Sequence, residues 1–273
     1  MKEEERKALT NLIPDKKIDF SKQMITEALS KFGKELVLAW TGGKDSTTML
    51  WLYKETCSAM GKPLPKCIFI NEGDVFDEIM DHVDQVKKMW NVDVIELKNT
   101  DVLNRVGKLG DIIRVEDLSQ RNKKELQYIN FMDKEFPFEP ESFVGNHLMK
   151  TVPLKTFIEE NSIQAISTAI RWDEQEARKE EVFFSKRDNP PHMRVQPILH
   201  FKERDIWDTI HTYRIPYCKL YDIGYRSLGA RCSTHKNSDI PAWEQDLENT
   251  PERVGRGQDK EKVMEQLRSL GYM

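Results

Sequence analysis

Residues 36–55 read LVLAWTGGKDSTTMLWLYKE. The apolar run at 36–40 has the character of a buried strand, and it stops at Gly42 and Gly43. From residue 46 the pattern becomes helical, with Met49, Leu50, Leu52 and Tyr53 offering apolar contacts. A strand that ends in glycines and opens into a helix is an anion site in physical terms. Glycine lets the backbone turn tightly and come close to a ligand. The first amides of the helix have no internal partner, and the helix dipole favours negative charge there. Thr41, Ser46 and Thr47 add hydroxyl donors, and Lys44 adds a positive charge. The stretch is neither GxxxxGK[ST] nor GxGxxG, because its two glycines are adjacent and no third follows.

Working outward, residues 21–33 put Ile25, Leu29 and Phe32 on one helical face, with Gly33 where a C-terminal cap belongs. KCIFIN at 66–71 and VDVIEL at 92–97 read as strands, and 76–90 between them reads as a helix carried by Ile79, Val83, Val86 and Trp90. QAISTAI at 164–170 supplies a fourth strand and 195–198 a short fifth, followed by a helix at 203–213 with Ile206, Trp207 and Ile210 on one face. This alternation predicts an α/β fold, a Rossmann-like parallel sheet with helices on both faces. Two regions depart from it. Residues 107–150, charged and containing EFPFEPESF, predict an excursion or lid. Residues 216–273 carry no convincing strand and predict a C-terminal extension of loops and helices over the sheet edge. The expected organisation is therefore an α/β body over 1–215 and an extension over 216–273 that contributes to the site.

The chain has 273 residues and a formal net charge of −4, which argues against general nucleic-acid binding. No stretch approaches the roughly 18 apolar residues of a membrane span. The N-terminus, MKEEERKALTNLIPDKK, is charged and has no apolar signal core. The expectation is a soluble cytoplasmic protein with no nucleic-acid or membrane partner; self-association into a homo-oligomer is left open. Cys57, Cys67, Cys218 and Cys232 form no CxxC pair, so local spacing supports neither zinc nor an iron–sulfur cluster. The histidines show no HxxxH or HExxH spacing; His200 in PILHF reads as structural, and His235, among Arg231, Cys232 and Lys236, is the one to test.

With these residues in view, Thr41-Gly42-Gly43-Lys44-Asp45-Ser46 resembles the SGGKDS loop of the PP-loop ATP pyrophosphatases, whose first Ser is Thr here. FINEGDVFDE at 69–78 is similar to the DTG..F.E segment of the branch holding phosphoadenylylsulfate (PAPS) reductases and the sulfate adenylyltransferase small subunit, with Asn71 and Glu72 in place of Asp and Thr. STAIRWDEQEARKEEVFF at 167–184 resembles the GARRDEE..RA.E segment of that subunit. Residues 194–236 resemble a block shared with FAD synthetases, and TPERVGRGQDKEKVMEQLRSLGYM at 250–273 looks like the ending of the sulfate adenylyltransferase small subunit, the nearest branch on this reading.

The resemblance implies an adenine nucleotide alpha hydrolase-like fold, ATP and Mg²⁺ as cofactors, and cleavage of ATP between the α and β phosphates with transfer of AMP to sulfate or a related oxyanion. It implies that Gly42, Gly43, Ser46 and Thr47 hold the leaving phosphates, that Lys44 offsets their charge, and that main-chain groups of Leu38, Ala39, Trp40, Ala169 and Ile170 meet the adenine. Arg171, Arg226 and Arg231 would bind the acceptor anion or the α-phosphate, and Arg178, Arg253 and Arg256 fall in the same matching segments; the planar guanidinium fork suits both anions. Asp45 is a candidate magnesium ligand or, equally, a helix cap. Asp173 and Glu174 either orient an arginine or are solvated charges at a helix start. Because sulfate adenylylation is uphill, the resemblance also implies a GTPase large subunit as partner. Three alternatives stand beside it. One is an FMN adenylyltransferase of the FAD synthetase kind. Another is a thiol-dependent PAPS-reductase-like enzyme using Cys232, whose pKa Arg231 and His235 would lower. The third is a non-catalytic nucleotide-binding module.

Overall fold

The computed structural model describes residues 2–255. Helices α1 (Glu3–Thr10) and α2 (Pro14–Phe32) precede strand β1 (Leu36–Ala39) and helix α3 (Lys44–Met60). Then come β2 (Cys67–Ile70), α4 (Asp77–Trp90), β3 (Val94–Leu97) and α5 (Thr100–Leu103). A small antiparallel pair, β4 (Ile112–Arg114) and β5 (Glu135–Pro137), brackets α6 (Gln120–Tyr128). Helix α7 (Phe143–Asn146) runs through a π-helical turn at His147–Thr151 into α8 (Val152–Asn161). β6 (Ala165–Ser167), β7 (Phe184–Asp188), β8 (Pro191–Val195) and α9 (Glu203–Tyr213) complete the body.

The main sheet has the order β3-β2-β1-β6-β8-β7. All its pairings are parallel except β7 with β8. Alternate residues of each strand serve opposite faces, as the pleat requires. Leu36 and Leu38 of β1 and Cys67 and Phe69 of β2 join a cluster built with α2, α3, α4 and α9. Val37, Ile68 and Ile166 turn the other way, onto Phe157 and Ile158 of α8. Burial of each such side chain stabilises the fold by about 1.5–3 kcal/mol. Met49, Leu50, Leu52 and Tyr53 are fully buried and Trp51 nearly so, which makes α3 a central helix covered all round rather than an amphipathic surface helix.

The chain leaves β1 towards β2 and β3 on one side and returns to β6 on the other. The order in which the chain adds strands therefore reverses between the parallel neighbours β1 and β6. Crevices at such reversal points, beyond the carboxyl ends of the strands, are where open α/β sheets bind ligands. The strand-to-helix turn at 40–44 lies there.

Three local expectations are revised. Helix α2 begins at Pro14 rather than near residue 21, because proline is preorganised for the first helical turn and Lys17, buried there, pairs with Asp205 at 2.5 Å. The short strand expected at 195–198 lies earlier, at Pro191–Val195, as one arm of a β7–β8 hairpin that the apolar pattern did not reveal. The excursion carries a core of its own: Leu126, Phe136, Phe138, Leu148 and Met149 pack together away from the main clusters. Over the described part of the C-terminal extension, 216–255, the regular structure consists of short 3-10 turns, at Lys219–Tyr221, Arg231–Ser233, Ala242–Glu244 and Glu252–Gly255. No helix among the described residues is long and apolar enough to cross a membrane.

Candidate active site

The phosphate-type loop is shaped by Gly42, whose φ of +74° lies in the left-handed region. A Cβ there would also meet Ile79 Cγ2 of α4 at 2.9 Å, so the loop presses directly on that helix. Hydroxyls close the turn. The Thr41 amide donates to Ser46 Oγ at 3.2 Å, and Ser46 Oγ donates to the Gly43 carbonyl at 3.0 Å. The helical ladder of α3 starts with Thr47 N donating to Gly43 O at 3.0 Å. The Lys44 amide donates instead to the Tyr221 hydroxyl at 2.9 Å. The amides of Asp45 and Ser46 precede the first rung of the ladder, so the mouth of α3 presents them to a ligand. Tyr221 is held in turn by an edge contact with Trp207, ring centroids 5.1 Å apart.

A cavity of about 360 Å³ opens over this loop. Ala39, Thr41, Gly43, Lys44, Asp45 and Ser46 line it from β1 and α3. Thr168, Ala169 and Ile170 line it from the end of β6, and Phe69 and Ile70 from the end of β2. Apolar strand ends and the first turn of α3 thus line one cavity.

The predicted residues divide. Ala39, Ala169 and Ile170 meet the cavity; Leu38 and Trp40 are fully buried in the main cluster behind it. Thr47 is also fully buried, its hydroxyl accepting from Trp40 Nε1 at 3.1 Å, so it pins the loop rather than facing a phosphate. Gly42 shapes the turn without lining the cavity. Lys44 is 1% exposed, and its ammonium contacts Glu252 at 2.5 Å, the Arg226 carbonyl at 3.0 Å and Asp45 at 3.3 Å. Burial alone would lower its pKa, but the Glu252 and Glu203 charges outweigh burial and raise it.

Arg171 is fully buried and donates to Asp45, to Asp173 at 2.9 Å and to Glu252. Arg178 and Arg253 both reach Glu174 at the cavity wall, Arg253 with bonds of 3.0 and 2.6 Å. Arg226 does not face the cavity. It is 1% exposed and ties Glu203, the Leu247 carbonyl and Thr250 together, which makes it the anchor of the C-terminal extension. Arg231 lies outside as well, half-exposed, donating to the Val75 carbonyl at 3.0 Å and pairing with Asp77 at 3.2 Å. Arg256 lies outside the described residues. His235 is exposed and away from the cavity, while His200, fully buried beside the Lys17 carbonyl at 3.1 Å, is structural as expected.

The surroundings of Cys232 disfavour its thiolate. Burial, the hydrogen bond to Asp74 and the charges of Asp74, Glu141 and Glu72 push its thiol up to about 12. Both oxygens of Asp45 are engaged, one by Arg171 and one by Lys44. Among the described residues no group of three acidic, histidine or cysteine side chains is placed to hold a metal ion.

Two residues that matter were not singled out by sequence reasoning. Glu252 stands between Lys44 and Arg171, although ERVGR drew attention only through its arginines. Lys150 reaches the cavity from the π-helical turn and pairs with Glu72 at 2.6 Å and Glu141 at 3.0 Å. The Glu at 72, where the resembling branch has Thr, was the available signal that a cation faces it.

Residues 35–114 and 114–236 match the phosphoadenosine phosphosulfate reductase domain family. The chain belongs to this family. Among relatives, it is 22% identical to the adenosine 5'-phosphosulfate reductase of Geobacillus kaustophilus over 78% of each chain. It is 26% identical to a probable FAD synthase of Caenorhabditis elegans over 85% of this chain, which spans 37% of that protein. Among solved structures, the FMN adenylyltransferase of Candida glabrata matches with a TM-score of 0.63 at 18% identity, covering 93% of this chain and 94% of that one. The PAPS reductase of Candida auris matches with a TM-score of 0.57 at 18% identity, covering 86% and 98%. These likenesses establish the α/β fold, and the family is one of nucleotide-utilising PP-loop enzymes. The closeness to the sulfate adenylyltransferase small subunit expected from residues 250–273 is not what they show; they bring FAD synthase and adenosine 5'-phosphosulfate reductase forward instead.

Proposed function

We propose that the chain is an ATP-dependent adenylyltransferase whose acceptor is a phosphomonoester of the FMN kind. The carrying observation is the mouth of α3, where Asp45 and Ser46, whose amides precede the first ladder bond, line a cavity walled by Ala39, Ala169 and Ile170. That arrangement suits a planar base in the cavity and phosphates on the amides. The acceptor oxyanion would attack the α-phosphorus in line, and the α–β bond would break with pyrophosphate leaving on the loop. Such a transfer asks the protein for positioning and charge stabilisation rather than for a covalent intermediate. Arg178, on the cavity wall, would meet acceptor or α-phosphate oxygens. A divalent ion would arrive with the triphosphate as part of the substrate, since Asp45 is already committed to two cations.

FMN is favoured over sulfate for two reasons. Relatives and structural neighbours include FAD synthase and FMN adenylyltransferase. In addition, Arg226 and Arg231, expected on a small oxyanion, are engaged elsewhere. A thiol-dependent reductase reading loses ground to the carboxylates around Cys232.

The test is incubation with α-labelled ATP and magnesium, with FMN, sulfate or no acceptor. Pyrophosphate and a flavin–adenylate product are expected with FMN. Product with sulfate instead would move the acceptor and call for the GTPase partner that such an uphill step needs. Intact ATP under every condition, with sulfite released from PAPS in the presence of a reductant, would put the reductase reading first.

A further inference from the structure

The last described turn, Glu252–Gly255, folds back onto the phosphate loop 208 residues earlier in the chain. Its Glu252 side chain is 5% exposed and splits its two oxygens between two cations, Oε1 on Lys44 at 2.5 Å and Oε2 on Arg171. One anionic group bridging an ammonium and a guanidinium is the contact a phosphate makes. Neighbouring bonds hold the turn in place. Arg253 forks onto Glu174, Asn237 Nδ2 donates to the Glu252 carbonyl at 3.4 Å, and Arg226 grips Thr250 at 2.6 Å.

We infer that Glu252 is an internal occupant of the phosphate subsite, and that nucleotide binding displaces it, so that residues 250–255 act as a self-inhibiting strap. The inference rests on the nucleotide reading of the site. With Glu252 in place the Lys44 ammonium is 1% exposed, so a phosphate reaches it only if the carboxylate withdraws. Withdrawal leaves neither cation stranded. Lys44 keeps the Arg226 carbonyl, Asp45 and Glu203, and Arg171 keeps Asp45 and Asp173. A buried ion cluster that stays partnered in both arrangements has two accessible states, whereas one that orphaned a charge would have a single state. The charge count points the same way. Lys44, Arg171, Arg178, Arg226 and Arg253 balance Asp45, Asp173, Glu174, Glu203 and Glu252. A polyphosphate therefore meets a neutral cluster until Glu252 leaves, and a net positive one afterwards. Nucleotide affinity is then reduced by the fraction of molecules in which the strap is closed.

The experiment measures binding of inorganic pyrophosphate and of a non-hydrolysable ATP analogue by calorimetry, to the wild-type chain and to Glu252→Gln. In parallel, trypsin cleavage after Arg253 is followed by mass spectrometry in the wild type with and without the analogue. The variant is expected to bind both ligands roughly tenfold more tightly, and the analogue is expected to speed cleavage after Arg253. Equal or weaker binding by the variant, or protection of Arg253 by the analogue, overturns the strap while leaving the nucleotide site standing. If neither protein binds either ligand, the nucleotide reading falls and the strap with it. Should the variant not fold, the cleavage arm on the wild type decides alone.

Discussion

Cys232 is exposed, yet three carboxylates lie near enough to hold its proton in place. With a thiol pushed up to about 12, only about one molecule in ten thousand is a thiolate at pH 8. Iodoacetamide at pH 8 should therefore label Cys232 far more slowly than a free cysteine of ordinary pKa, as read by mass spectrometry. Cys232→Ser should leave ATP α–β cleavage within about twofold of wild type; a hundredfold loss would return the thiol to the mechanism. Sequence neighbours suggested the opposite environment, because Arg231 and His235 flank the cysteine. Arg231 instead turns to Val75 and Asp77, and the facing charge comes from Glu72, Asp74 and Glu141. Residues adjacent in sequence were legible; those brought in from other segments were not. Lys44 repeats the lesson, since its position in the loop was evident while its burial against Glu252 was not.

At the level of elements, periodicity located β1, β2, β3, β6, α3, α4 and α9 because each packs its apolar residues against the sheet or within it. It missed the β7–β8 hairpin, where Ser185, Lys186, Arg187 and Asp188 pair through backbone bonds with little apolar signal to read. The 107–150 excursion hid a cluster whose residues come from helices and strands too short to show a period. That cluster has a sensitive point. A Cβ at Gly145 would lie 1.8 Å from the Glu139 carbonyl oxygen, backbone against backbone. Gly145→Ala should accordingly cost about 2–4 kcal/mol of local stability. Hydrogen exchange should rise across α6, β5 and α7 while β1, β2 and α3 keep their protection. Uniform loss of protection over the whole chain would mean that the excursion and the sheet unfold as one unit.

For the molecule as a whole, burial pushes His82, His192 and His200 down to about 4. Each is neutral when folded and takes up a proton more readily when unfolded, so the unfolded state binds more protons between roughly pH 4 and 6.5. Stability should fall as the pH drops through that window, by at most about 4 kcal/mol per pH unit when all three contribute. Glu125 and Asp101, both held at about 2, add their loss only at lower pH, Asp101 below its ordinary 3.8 and Glu125 below 4.5. Chemical denaturation at pH 7.0, 6.0 and 5.0 checks this; a flat profile over that range would mean that all three rings titrate normally in the fold, and a shallower slope that one or two do. The bond between the last described turn and the first loop reaches further than chemistry. Lys44, Arg171 and Glu252 sit in three distant stretches of the chain yet share one carboxylate. They make a single heritable character: a lineage that changes one of the three carries a mismatched charge until a second substitution answers it, so related sequences should keep the trio or lose it together.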